Sequence, residues 1–191
     1  MTPPTRGRPR SEEVRQAIHQ AFLAAMLEDG FNQISIDAVA KRAGISRTTI
    51  YRWYKDRDEI ALEVAIELVN LPEFPKPTGD YQADIRAFFS KTFEGANERG
   101  PLFTALMARA QADREFAEQV WQNFSQPRRT QLAIIIQSNP AVADTDQKSE
   151  AQLDTLLDLI FGAIWYRMMS GHAPLDKRFI EELCEIIQHY I

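Results

Sequence analysis

The sequence predicts an all-α protein, and three observations carry that prediction. Apolar residues recur at three- and four-residue steps along most of the 191 residues. No stretch shows the strict apolar–polar alternation of a β-strand. Breaks between the periodic stretches fall at glycines, prolines and short polar runs, which end helices.

The elements follow in order. Residues 1–10, rich in Pro, Gly and Arg, read as a flexible basic arm. Ser11, Glu12 and Glu13 start the first helix and put acids at its positive end. Val14, Ile18, Ala21, Phe22, Ala25 and Met26 give it one apolar stripe, and Gly30 ends it. Ser35 caps a second, short helix. Ala43, Gly44 and Ile45 make a turn in which Gly44 accepts a left-handed backbone and Ile45 drops into the core. Ser46 caps a third helix from Arg47 to about Tyr54, and Asp56 caps a fourth.

The run from Leu71 to Gly79 holds three prolines and reads as a stiff linker. A fifth helix is predicted from about Tyr81 to Glu98, interrupted at Gly100 and Pro101, then helix from Leu102 to Ala112. Phe116 to Ser138 is helical with a kink or break near Gln126, because Pro127 cannot sit quietly inside it. A loop follows from Asn139 to Asp146. Two last helices, about Gln147–Gly171 and Asp176–Tyr190, make about nine in all.

Bulk properties narrow the function classes. Net charge is −5, but residues 1–57 carry +4 and residues 58–191 carry −9. A basic head on an acidic body fits a small nucleic-acid module joined to a domain with another task. No apolar run approaches the length of a membrane span, so no membrane partner is expected. Cys184 is the single cysteine, which excludes an intrachain disulfide and suits a cytoplasmic location. It sits in an apolar helical pattern, where a thiol behaves as a small hydrophobe. The three histidines, His19, His172 and His189, are far apart in sequence and lack metal-ligand spacing. With no Gly-rich phosphate loop and no nucleophile elbow, neither enzyme, metal site nor cofactor is expected.

Residues 35–57 are the most informative stretch. Two short helices around a tight turn, the second crowded with Arg47, Thr48, Thr49, Tyr51, Arg52 and Trp53, make a helix-turn-helix. The run AGISRTTIYRWYKDRDEIAL goes further: it resembles the DNA-binding signature of the TetR/AcrR family of bacterial regulators. Ala43, Gly44, Ile45 and Ser46 match its turn. Thr49, Ile50, Tyr51, Trp53 and Tyr54 match its hydroxyl-apolar-aromatic run, and Arg57 and Glu59 the start of the next helix. Arg57 stands where the family usually has lysine, and Trp53 and Tyr54 replace His/Tyr and Phe.

Base edges are read by the N-terminal residues of a recognition helix, here Arg47, Thr48 and Thr49. Arg47 suits a guanine edge or a phosphate. The resemblance implies phosphate contacts at Tyr51, Trp53, Lys55 and Arg57, with packing the competing role for Trp53 and a solvated charge for Arg52. Ile50 and Tyr54 are core. Arg42 is placed to reach the backbone, and the caps Ser35 and Ser46 border the same face. Arg6, Arg8 and Arg10 around Gly7 form a candidate minor-groove arm. The expected partner is double-stranded DNA with a palindromic operator. The domains are then an arm (1–10), a helix-turn-helix domain (11–57) and an effector-binding and dimerisation domain (58–191).

One short helix-turn-helix reads few base pairs, so a homodimer is expected. Leu153, Leu156, Leu157, Ile160, Phe161, Ile164 and Met168 form one stripe, and Phe179, Leu183, Ile186 and Ile187 another. The resemblance implies a four-helix bundle between two copies, with these stripes serving both interface and monomer core. It also implies a body pocket for a small effector, of apolar or aromatic character from the side chains available. Candidates are Phe88, Phe89, Phe93, Phe103, Leu106, Met107, Phe116, Trp121, Phe124, Trp165 and Met169, all equally explicable as plain core. Arg109, Arg128, Arg129 and Arg167 suit an anionic effector or solvent. The resemblance implies a repressor whose effector shifts the fourth helix. The alternative is an effector-independent regulator with a filled body, controlled by a protein partner.

Overall fold

The computed structural model describes residues 8–70, 77–139 and 150–190. Arg6, most of the expected linker and most of the loop after Asn139 lie outside them. Among the described residues every regular element is helical. None of these helices is long and apolar enough to cross a membrane.

The chain divides into two compact units between Glu67 and Leu68. The first holds α1 (Arg8–Asp29), a 3₁₀ turn (Phe31–Gln33), α2 (Ile36–Ala43), α3 (Arg47–Tyr51) and most of α4 (Arg57–Asn70). Sequence analysis places the boundary after Arg57, yet α4 as far as Glu67 belongs with the head. Ile60, Ala61 and Val64 are buried there, and Glu63 and Glu67 bond to α1. Helix α1 starts at Arg8, three residues before the expected Ser11. Arg8 and Arg10 are therefore helical, where a flexible arm over residues 1–10 is expected; Pro9 is tolerated because a first-turn N–H has no intrahelical acceptor.

Capping follows the sequence. Ser35 Oγ accepts from Ala38 N and Ser46 Oγ from Thr49 N. Asp56 Oδ1 accepts from the N–H groups of Asp58 and Glu59. Gly44 takes φ 67°, the left-handed turn that ends α2. Ile45 is half-buried rather than fully in the core. The core beneath is Ile18 and Phe22 of α1, Val39 of α2, Ile50 of α3 and Ile60 of α4. Helix α3 stops at Tyr51, because the N–H groups of Trp53 and Tyr54 both turn back to Ile50 O.

The second unit contains α5 (Tyr81–Ala112), α6 (Arg114–Val120), α7 (Gln126–Gln137), α8 (Glu150–Ser170) and α9 (Lys177–Tyr190). Asp84 accepts from both the N–H and the hydroxyl of Thr78, at 2.8 and 2.9 Å, and anchors the start of α5. The expected break at Gly100 and Pro101 is a kink: Arg99 has φ −131°, ψ 18° within a helix that otherwise continues. The expected break near Gln126 is a π-turn, Trp121–Ser125, closed by Gln126 N to Trp121 O. Pro127 has no N–H to offer Asn123, so the chain widens one turn ahead of it. Asp176 caps α9 through Phe179 N.

Phe88, Phe89, Phe93, Leu132, Leu156, Ile160 and Ile187 form the core of this unit. Phe93 and Phe179 stack with ring centroids 5.5 Å apart. Cys184 is buried in the same core, and burial pushes its thiol up to about 11.

Candidate functional site

The head presents one exposed face. Arg47, Thr48, Tyr51, Arg52, Trp53 and Lys55 are all solvent-exposed, Tyr51 at 50% and Trp53 at 45%. Large rings standing in water beside three cations suit contact with a polyanion. Arg47 extends over the Tyr51 ring, 5.9 Å from its centroid, and its Nε lies 2.7 Å from Asp37 Oδ1. That ion pair is fully exposed and holds the guanidinium over α3 at little energetic gain. Thr49 is partly buried and shares a 2.8 Å hydroxyl contact with the cap Ser46. Of the three expected base readers, Arg47 and Thr48 stand clear, whereas Thr49 also supports the cap. Ser35 and Ser46 are exposed, with their oxygens engaged in capping.

Two expected backbone contacts have other engagements. Arg42 Nη2 donates to Glu28 at 2.6 Å. Arg57 Nη1 donates to the carbonyls of Phe31, Asn32 and Ile34 at 3.3, 3.3 and 3.0 Å. It ties α4 to the connection between α1 and α2.

Behind the exposed face lies a polar cluster that sequence reasoning did not find. His19 is only 3% exposed. Its Nδ1 lies 2.7 Å from Glu67, and its Nε2 lies 2.8 Å from the Tyr54 hydroxyl and 3.1 Å from Glu63. Tyr54 also donates to Glu63, and Arg15 bridges Glu63 and Glu67 at 3.1 and 3.0 Å. Burial, with Glu63 nearby, holds the Tyr54 phenol far above its usual range, so it remains a donor. Burial alone would raise the Glu63 carboxyl; the bonds from Tyr54 and Arg15, with His19 alongside, outweigh it and hold that carboxyl below 4.5. The only signal in sequence was a lone histidine on the apolar stripe of α1 and two glutamates four apart on α4.

The second unit holds a cavity of about 590 Å³. Five of the expected pocket residues line it: Phe103, Met107, Trp121, Phe124 and Trp165. Phe88, Phe89, Phe93, Leu106 and Phe116 pack in the core instead, and Met169 is 65% exposed. Identical side-chain types at helical spacing do not reveal which face of a helix meets a void. Arg128 and Arg129, named in sequence as suited to an anionic effector or solvent, line the cavity too, and Lys91, Thr92, Gly95, Phe161 and Met168 line it without having been pocket candidates.

The expected interface stripe is largely used up inside the chain. Leu156, Leu157, Ile160, Ile164, Phe179, Leu183 and Ile187 are buried, and Leu153, Phe161 and Met168 are partly so. Only Ile186 of that set is exposed, at 50%. The apolar face that α8 leaves in water is a different one: Leu159, Gly162, Tyr166 and Met169, at helical spacing.

Residues 19–64 match the family described as bacterial regulatory proteins, tetR family. Residues 75–187 match the tetracyclin repressor-like C-terminal domain, which covers more than half of the chain. The chain belongs to the TetR family. It is a DNA-binding transcriptional regulator of that family. It is 27% identical over 180 residues to the HTH-type transcriptional regulator YdeS of Bacillus subtilis (strain 168), covering 93% of this chain and 89% of that one. It is 24% identical over 180 residues to the DNA-binding transcriptional repressor TetR of Mycobacteroides abscessus, covering 92% of each. Among solved structures, the TetR family transcription regulator SCO0332 aligns with a TM-score of 0.74 at 25% identity, over 94% of this chain and 98% of that one.

Proposed function

We propose that this TetR-family chain is a homodimeric, sequence-specific repressor that a small, largely apolar or aromatic effector releases from a palindromic operator. The exposed face of α3 carries the DNA-binding part: Arg47 and Thr48 read base edges, while Tyr51, Trp53 and Lys55 hold phosphates. Arg52 and Arg42 add charge at the edge of that face. Two copies associate through the stripe Leu159, Gly162, Tyr166 and Met169 of α8 together with Ile186 of α9. Exposed large apolar side chains at that spacing support such a contact. Gly162 at its centre leaves room for close approach of a second helix.

The cavity of about 590 Å³ supports a small-molecule effector over control by a protein partner alone. The effector acts only through its differential affinity for the DNA-competent and DNA-incompetent conformations. The relatives' description as DNA-binding regulators supports a non-enzymatic role and a cytoplasmic location.

The deciding experiment selects bound fragments from random or genomic DNA with the purified protein at near-physiological salt. Enrichment of a palindrome with two half-sites supports the dimeric reader. Salt-sensitive binding to bulk DNA with no enriched sequence would sink it.

A further inference from the structure

Trp53 and Lys55 stand in a connection that is not itself helical: α3 ends at Tyr51 and α4 begins at Arg57. An indole N–H and an ammonium hold phosphates well only when the backbone beneath them keeps one course. Local bonds supply part of that order. The N–H groups of Trp53 and Tyr54 return to Ile50 O at 2.8 and 3.0 Å, and Lys55 N donates to Glu59 at 2.6 Å. The residue between Trp53 and Lys55 supplies a further tie. Tyr54 is buried, whereas its two neighbours are exposed, so an inward anchor sits between two outward side chains.

Where the TetR/AcrR signature has phenylalanine, this chain carries a hydroxyl at position 54. The phenol has one proton, which it donates to Glu63 of α4. Its oxygen then accepts from His19 Nε2 at 2.8 Å. His19 belongs to α1, and its other ring nitrogen lies 2.7 Å from Glu67 of α4. A phenylalanine would fill the same space, held by packing alone. The tyrosine is bonded at its tip to two helices and at its backbone to the end of α3. A buried polar network whose members are satisfied rigidifies what it holds.

We propose that His19 and Tyr54 are positioning residues for DNA binding: anchored between α1 and α4, Tyr54 fixes the outward course of Trp53 and Lys55 and so sets their phosphate contacts. This inference rests on the reading of α3 and the connection after it as the DNA-binding face. Tyr54 and His19 act from behind that face, without touching DNA. Deprived of the anchor, the connection has to be ordered at the moment of binding, and part of the affinity is lost to that ordering.

The test measures the affinity of the full chain for a mixed-sequence duplex of about 30 base pairs across a range of salt, since phosphate contacts are indifferent to sequence. Lys55→Ala sets the scale: affinity falls, and the salt slope becomes shallower by about one unit per bound head. Tyr54→Phe restores the ring of the family signature and deletes only the hydroxyl; circular dichroism checks that the head stays folded. It is expected to weaken binding by roughly tenfold and to make the slope shallower by the same amount as Lys55→Ala. Adding Lys55→Ala to Tyr54→Phe then costs nothing further, because the contact has already gone. His19→Gln removes the ring that holds the phenol and is expected to give the same two signatures.

A purely structural role for the cluster gives a different result. Destabilisation lowers the folded fraction, which scales affinity alike at every salt concentration and leaves the slope unchanged. A wild-type slope in Tyr54→Phe or in His19→Gln, or full additivity of Tyr54→Phe with Lys55→Ala, overturns the inference and leaves Lys55 a phosphate contact. Unchanged affinity and slope in Lys55→Ala itself would remove Lys55 from the DNA-binding face and overturn the inference with it.

Discussion

The Arg57 guanidinium lies over the Phe31 ring, 5.0 Å from its centroid, while its Nη1 reaches three carbonyls of the same connection. The contact joins the first turn of α4 to the segment between α1 and α2. Arg57→Ala is therefore expected to lower the stability of the head by about 1–2 kcal/mol, given hydrogen bonds from a charged donor in a partly exposed site. Chemical denaturation followed by circular dichroism checks it. Unchanged stability with weakened DNA binding would return Arg57 to the phosphate contacts.

Arg47→Ala is expected to reduce discrimination among DNA sequences by roughly tenfold at one base pair, with little change in folding. Competition binding on operator variants measures it. A uniform loss on every sequence would make Arg47 a phosphate contact instead.

The cluster around His19 gives a pH dependence. The Glu63 carboxyl titrates below its ordinary 4.5 in the folded head. Its stabilising contribution is complete above the unfolded value and is lost as pH falls from about 4.5 through the folded value. Denaturation midpoints of the wild type should fall over that window, and Glu63→Gln should flatten the fall. Parallel curves for the two proteins would remove Glu63 as its source.

Leu159→Glu combined with Tyr166→Glu places charge on the exposed stripe of α8 without touching the core below. Sedimentation is expected to show a monomer with native helicity, and DNA binding should weaken by about tenfold or more as paired half-site binding is lost. A dimer that survives both changes would place the interface on another surface.

Much of this was legible in sequence because local chemistry sufficed. Ser35, Ser46 and Asp56 cap the helices that follow them, and Gly44 turns left-handed, since each such role depends on a few neighbouring residues. Pro101 and Pro127 marked the right places, although one produced a kink and the other a π-turn. What escaped notice was set by distance along the chain. His19 meets Tyr54, Glu63 and Glu67 across 35, 44 and 48 residues, and no local pattern announces such a meeting. The apolar stripe of α8 misled for a related reason. Its periodicity identified the face that is buried, whereas the face left in water holds Leu159 and Tyr166, which break the strongest repeat. Thr92 and Gly95 were hidden because a cavity arises from the mismatch of two elements, which neither element encodes alone.

The two irregular turns have a lasting consequence. Neither Pro101 nor Pro127 is part of the cavity wall, yet the kink and the π-turn beside them supply Arg99, Trp121, Phe124 and Ser125 to it. The hollow and its lining are thus specified by different residues. Substitutions at Phe103, Met107 or Trp165 can alter what is held without collapsing the vessel that holds it. On the effector reading proposed above, a lineage carrying this fold is free to exchange one chemical signal for another while its scaffold stays put.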